Sequence, residues 1–326
     1  MEEQSGFPFT RTPETPEYQV DVSGVFPNGT TFFVTATAET LPRIVSGLDG
    51  QAVSGLWGSE AGFEVTRDLN KVALAFNQKP AGVRGGAIFE RDRTPAHVAC
   101  EATTSGSFYF DSVARAPLSP SQHLLYDETG WAIAMRRANA SVSVDIGGTW
   151  FNLTGRGYHD HNWAPESLDT YIYTWLFGAG SCGPFDLGYV EVQPLNSTRK
   201  DDVVQGTLAY EGQILQTECN LYGTRSSSIV TVELVGKALD PITGQTVPTG
   251  VNLEYILGNG THYQFNLTNT VTNPDQVPYK RWRYGGSGGQ LDGPQYECSV
   301  IADWLNPGLA EYTPGENIFA KGNVGV

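Results

Sequence analysis

Two histidines with a carboxylate between them and aromatics on either side are packed into Gly157-Tyr158-His159-Asp160-His161-Asn162-Trp163. No other seven residues of the chain hold as many groups able to move a proton, bind a metal ion or grip a polarised oxygen. If the stretch is extended, His159 and His161 share one face and Asp160 takes the other. Three roles fit. His-X-His can supply two metal ligands, although the other histidines, His97, His123 and His262, are remote in sequence. Asp160 or a histidine can act as acid, base or donor to a developing oxyanion. Or Asp160 and Asn162 tie down a turn while Tyr158 and Trp163 pack.

A second group lies in Lys280-Arg281-Trp282-Arg283-Tyr284, ahead of a glycine-rich run. As a strand it presents Arg281 and Arg283 on one face and Trp282 and Tyr284 on the other. That pairs cationic donors with a stacking platform suited to an enolate-like oxyanion; the alternative is a solvated edge strand. Tyr171, Tyr173 and Trp175 alternate along the segment after the histidine motif and are expected to line the same cavity. Trp57, set between Gly55 and Gly58, is expected in a loop or bulge as a further wall.

These groups need a scaffold, and the pattern says all-β, as two barrels or sandwiches. Segments rich in β-formers recur at residues 30–37, 63–66, 71–76, 141–146, 171–177, 187–192, 203–210, 229–235, 253–257, 263–267 and 295–304. Turn residues separate them. No segment keeps a 3.6-residue apolar period for three turns; residues 118–126 are the best short-helix candidate. The division expected is an extended arm at 1–23, a first β domain at 24–196 carrying the histidine motif, and a second at 197–326. The boundary falls in the linker-like Pro194–Asp202 stretch.

The chain of 326 residues has 20 Lys+Arg against 35 Asp+Glu, a formal charge of −15. Such an anion is poorly suited to nucleic acid or anionic lipid. No apolar run is long enough for a membrane-spanning helix. Six Asn-X-Ser/Thr sequons, at Asn28, Asn139, Asn152, Asn196, Asn259 and Asn266, point to the secretory pathway. Four widely spaced cysteines (Cys100, Cys182, Cys219, Cys298) suit two disulfides. Cys219 with Cys298 is the favoured pair, both being placed in the second half. Residues 1–5 read as a mature terminus behind an added methionine, with the signal peptide gone. A homodimer is left open.

The motif Gly157 to Trp163 resembles the signature of the carotenoid 1,2-hydratase-like (hydroxyneurosporene synthase) family. In that family a glycine follows the motif; here Ala164-Pro165-Glu166 follows. The resemblance implies two lipocalin-like β domains packed together. A secreted, sequon-rich chain resembles the fungal branch, which includes cofactor-free pericyclases. Among these it looks most like the hetero-Diels–Alderases of tropolonic sesquiterpenoid biosynthesis. The implied reaction is a cycloaddition between a quinone methide-type heterodiene and a terpene alkene, with no cofactor and no metal. Confinement of the reactants supplies much of the acceleration, and His159, Asp160, His161, Arg281 and Arg283 supply donors. Tyr158, Asn162, Trp163, Tyr171, Tyr173, Trp175, Trp57, Trp282 and Tyr284 form the walls. A terpenoid hydratase and a non-catalytic lipocalin-like carrier are the alternatives.

Overall fold

The computed structural model describes residues 2–3, 19–37, 43–47, 52–78, 82–98, 130–163, 167–196, 202–221, 229–240, 244–273, 279–306 and 312. Apart from one 3-10 turn at Leu168–Thr170, every regular element among them is a strand. The fold is all-β, as the alternation of β-formers and turn residues requires.

Three strands begin the chain: β1 (Glu2–Glu3), β2 (Gln19–Val25) and β3 (Thr31–Thr37), paired in that order. Residues 19–23, expected in an extended arm, therefore belong to a sheet. The next eight strands share one antiparallel sheet. They are β4 (Arg43–Ser46), β5 (Val53–Trp57), β6 (Ala61–Val65), β7 (Lys71–Gln78), β8 (Val83–Arg91), β9 (His97–Val98), β10 (Gly130–Ile146) and β11 (Thr149–Trp163). Their order is β11-β10-β8-β7-β6-β5-β4, with β9 also on β10. The Asp68–Asn70 connection and the Gly147-Gly148 turn form the hairpins that the sequence predicts. Residues 118–126 lie outside the described residues.

The second large sheet starts at β12 (Ile172–Cys182) and β13 (Phe185–Pro194), then β14 (Val203–Tyr210), β15 (Gln213–Leu221) and β16 (Ile229–Val235). A small hairpin follows, β17 (Ala238–Leu239) with β18 (Thr246–Val247). Strands β19 (Gly250–Ile256), β20 (His262–Thr272), β21 (Tyr279–Gln290) and β22 (Gln295–Leu305) complete it. The order is β15-β14-β13-β12-β22-β21-β20-β19-β16. Its edge strands β15 and β16 approach each other, so the sheet curls toward a barrel. Leu187, Leu208, Tyr255, Phe265, Trp282, Tyr284, Val300 and Trp304 fill the inside.

The chain passes from one sheet to the other between Trp163 and Ile172, while the expected domain boundary lies at residue 196. The polar stretch after Pro194 links β13 and β14, which pair antiparallel within one sheet. Among the described residues, Cys298 is bonded to Cys182, not to Cys219. Cys182 and Cys298 are direct partners on neighbouring strands β12 and β22, whereas Cys219 sits on the edge strand β15. Cys100 and the Cys219 side chain lie outside the described residues.

Candidate active site at the seam between the sheets

The histidine motif is the end of β11, extended as expected. Its faces divide by alternation. A β-carbon on Gly157 would run into the Phe89 ring and Ala140, so Gly157 and His159 look into the first sheet's own packing. Tyr158, Asp160 and Asn162 take the other face. The Tyr158 hydroxyl donates to Asp160 Oδ2 at 3.0 Å. Tyr158 meets the second sheet through the Phe177 ring of β12, centroids 5.4 Å apart.

Strand β10 supplies the charge behind this face. Ile133 lies opposite Asp160 and Ala138 opposite Gly157, five residue steps against three, so β10 bulges twice. A bulge breaks alternation and re-aims side chains. Here Met135, Arg136, Arg137 and Ala138 are all buried in succession. The Arg136 guanidinium carbon lies 5.8 Å from the Tyr158 ring centroid. Only 1% of Arg136 is exposed, so it is a fully desolvated cation. Burial pulls its pKa below the ordinary guanidinium value; Tyr158, Tyr255, Asp160 and Asp186 act in the opposite direction. Arg136 also packs on the backbone of Gly188 in β13, whose carbonyl accepts the Tyr255 hydroxyl at 2.9 Å. Burial raises the Tyr255 pKa, keeping that phenol protonated.

The next residue clamps the two sheets together. Arg137 Nε reaches Asp92 Oδ2 at 3.0 Å and its Nη1 reaches Asp186 Oδ1 at 3.2 Å. Thr94 donates to the other Asp186 oxygen at 2.6 Å. Asp186, 1% exposed, thus has both oxygens engaged from the first sheet.

The remaining expected residues distribute as follows. Trp175 lies half-buried and shares the Phe177 face of β12. Tyr173 does not: a register shift between Ile172 and Thr174 turns it onto the second sheet's core. Tyr171 is buried in the turn before β12, its carbonyl accepting Leu195 N–H. Trp57 closes β5 rather than sitting in a loop, and is buried 5.8 Å from Phe63. Among the described residues, its indole N–H and Asn162 Oδ1 are buried without a hydrogen-bond partner. Trp282 and Tyr284 face the barrel interior, stacked at 6.0 Å, as core residues rather than walls of an open platform. Arg281 and Arg283 are on the opposite face, as expected for a strand. Arg281 is bonded to Asp303 at 2.8 and 3.2 Å and to the Tyr279 hydroxyl. Because Phe177 and Arg281 both pair with Asp303, the three form a row across one face. Arg283 is exposed and donates to Ser299. The side chains of His161 and Trp163 lie outside the described residues. Also among the described residues, no three His, Cys, Asp or Glu side chains are grouped to hold a metal ion.

Arg136, Arg137, Phe177, Asp186 and Gly188 went unnoticed in the sequence. The signal available was Arg136-Arg137 inside the apolar run from Ala132 to Ala140, unusual in so acidic a chain.

The chain is similar to known proteins in sequence and in fold. The chain is 27% identical over 289 residues to the quinolone epoxide rearrangement protein penF of Penicillium thymicola, spanning 87% of this chain and 73% of that one. It is 25% identical over 286 residues to the corresponding protein asqO of Emericella nidulans, spanning 87% and 71%. The crystal structure of CghA with Sch210972 superposes with a TM-score of 0.69 at 14% identity, covering 90% of this chain and 81% of CghA. Kievitone hydratase from Nectria haematococca superposes with a TM-score of 0.52 at 11% identity, covering 89% and 80%. At these identities the structural likeness is one of fold. The sequence pattern of Diels-Alderase-like proteins matches residues 9–271, and the chain belongs to the Diels-Alderase-like family.

Proposed function

We propose that the chain is a cofactor-independent pericyclase or rearrangement enzyme of fungal secondary metabolism, working at the Tyr158–Asp160 face. Its family and the named activity of penF and asqO support the class. The observation that carries the chemistry is the Tyr158–Asp160 hydrogen bond, half-buried and backed by the desolvated Arg136. A positive charge fixed beside that pair favours negative charge developing on a bound oxygen.

The finer reading is a hetero-Diels–Alder reaction between a quinone methide-type heterodiene and a terpene alkene. Asp160 takes the ring-hydroxyl proton of the precursor and passes it to the departing benzylic hydroxyl, which leaves as water. The Tyr158 hydroxyl then turns to the heterodiene oxygen as a donor. The cycloaddition forms one C–C and one C–O bond from two π bonds, with no net proton or electron transfer. Phe177 and Trp175 supply flat apolar walls that hold the partners together. His159 looks into the first sheet's packing, and Arg281 is held by Asp303 and Tyr279. Passage through an oxidising compartment is part of the proposal, supported by the Cys182–Cys298 bridge.

Incubating the purified chain with a quinone methide precursor and a polyene tests the reading. A cycloadduct of fixed stereochemistry is expected. Water added across an alkene would mark a hydratase, and unchanged ligand bound at stoichiometry a carrier.

A further inference from the structure

Two turns in opposite halves of the chain are built alike. Phe26-Pro27-Asn28-Gly29-Thr30 joins β2 to β3, and Leu257-Gly258-Asn259-Gly260-Thr261 joins β19 to β20. In the first, Phe26 N–H donates to Thr30 O and Gly29 N–H to Phe26 O, both at 2.8 Å. In the second, Leu257 N–H donates to Thr261 O at 2.9 Å and Gly260 N–H to Leu257 O at 2.8 Å. Gly29 and Gly260 both sit at φ +84°. Asn28 Oδ1 accepts Thr30 N–H at 3.0 Å, and Asn259 Oδ1 accepts Thr261 N–H at 2.9 Å.

Each turn is an Asn-Gly-Thr sequon. The side-chain oxygen is held by the backbone two residues on, which leaves the amide nitrogen facing out. Every bond of the turn spans four residues or fewer, so the conformation needs no partner strand and is open to the nascent chain. Both asparagines are exposed. A β-carbon added at Gly29, Gly258 or Gly260 would meet nothing within 4 Å, so the space around the turns is open.

Three other sequons differ. Asn139 and Asn152 are exposed but lie on paired strands, their side-chain oxygens accepting from Arg156 at 2.5 Å and Ser143 at 2.8 Å. Asn266 is in mid-strand on β20.

We propose that Asn28 and Asn259 carry N-linked glycans. The donor is an oligosaccharide on a lipid pyrophosphate. The anomeric C–O bond breaks, pyrophosphate leaves with the electron pair, and a C–N bond forms to Nδ2 as the amide releases one proton. This rests on passage through the secretory pathway, not on the chemistry at Tyr158 and Asp160.

The test is the full chain secreted from a fungal host, digested with peptide N-glycosidase in heavy-oxygen water and mapped by mass spectrometry. Labelled aspartate is expected at positions 28 and 259 in most molecules, with Asn28→Gln and Asn259→Gln each removing one mobility step. Gly29→Val keeps the sequon but places a β-branched residue at positive φ, and should lower occupancy at Asn28 several-fold. Unmodified asparagine at both positions, in protein whose Cys182–Cys298 bridge has formed, overturns the proposal. So does undiminished occupancy in Gly29→Val, or a chain that leaves the host without that bridge. Activity assayed on the same samples separates failure here from failure of the proposed chemistry.

Discussion

The Arg136 guanidinium rests directly on the α-carbon of Gly188, where any β-carbon would overlap Nη1. One sheet thus leaves a side-chain-sized gap that a cation of the other sheet fills. Gly188→Ala should cost about 1–3 kcal/mol by overpacking, read as a lower urea midpoint. It should also lower turnover by moving Arg136 from behind Tyr158. Combined with Arg136→Ala, the glycine substitution should lose much of its cost, a coupling that a double-mutant cycle measures.

Asp160→Asn and Tyr158→Phe change few atoms on a half-buried face, so both proteins should fold with wild-type circular dichroism. Turnover should drop about 100-fold or more in Asp160→Asn if its carboxyl moves the proton. Near-normal turnover in the folded variant would leave Asp160 a tether for Tyr158.

The Arg137–Asp186 pair predicts a different signature. Arg137→Met leaves Asp186 buried beside Thr94 without its cation, at a cost of about 3–5 kcal/mol. Calorimetry should show a lowered Tm, with the two sheets unfolding in less closely coupled transitions.

Reducing Cys182–Cys298 frees a loop of 116 residues in the unfolded chain. The expected loss is about 2–5 kcal/mol, measured as the shift in denaturation midpoint with and without reductant. Cys182→Ala with Cys298→Ala should reproduce that loss without added reductant.

Tyr189, Tyr255 and Tyr284 are all held above the usual phenol value of 10.0, chiefly by burial. The folded form therefore keeps protons that the unfolded form releases. Their contribution is whole below pH 10.0 and lost as pH rises toward the folded values. With three such groups, stability should fall by about 4 kcal/mol per pH unit in that window. Arg136, shifted the other way, offsets part of this once its guanidinium begins to lose its proton. Alkaline urea titrations would check the slope, and Tyr284→Phe should reduce it by about one proton.

The all-β class was legible because β-former runs and turn residues are local signals, and β14 and β16 fall where the pattern puts them. The alternation at Arg281 to Tyr284 was equally readable, but not which face met the core. Both faces carry large side chains, and only pairing with β22 decides. The stretch from Pro194 to Asp202 has a linker's composition, yet it joins the paired strands β13 and β14, and composition alone does not say which strands pair. The Arg136 site escaped for a related reason. A bulge is a mismatch between two strands, and period-two reading along one strand cannot reveal it.

The bulge on β10 sets neighbouring arginines two different tasks, one beside the Tyr158 ring and one bridging Asp92 to Asp186. Neither half of the polypeptide can then be severed and kept as a stand-alone unit. Cleaved apart, the first would bare a cation made to be dry, and the second a carboxylate and a glycine notch made to receive it. Shuffling sheets among relatives would have to exchange both sides of that contact at once.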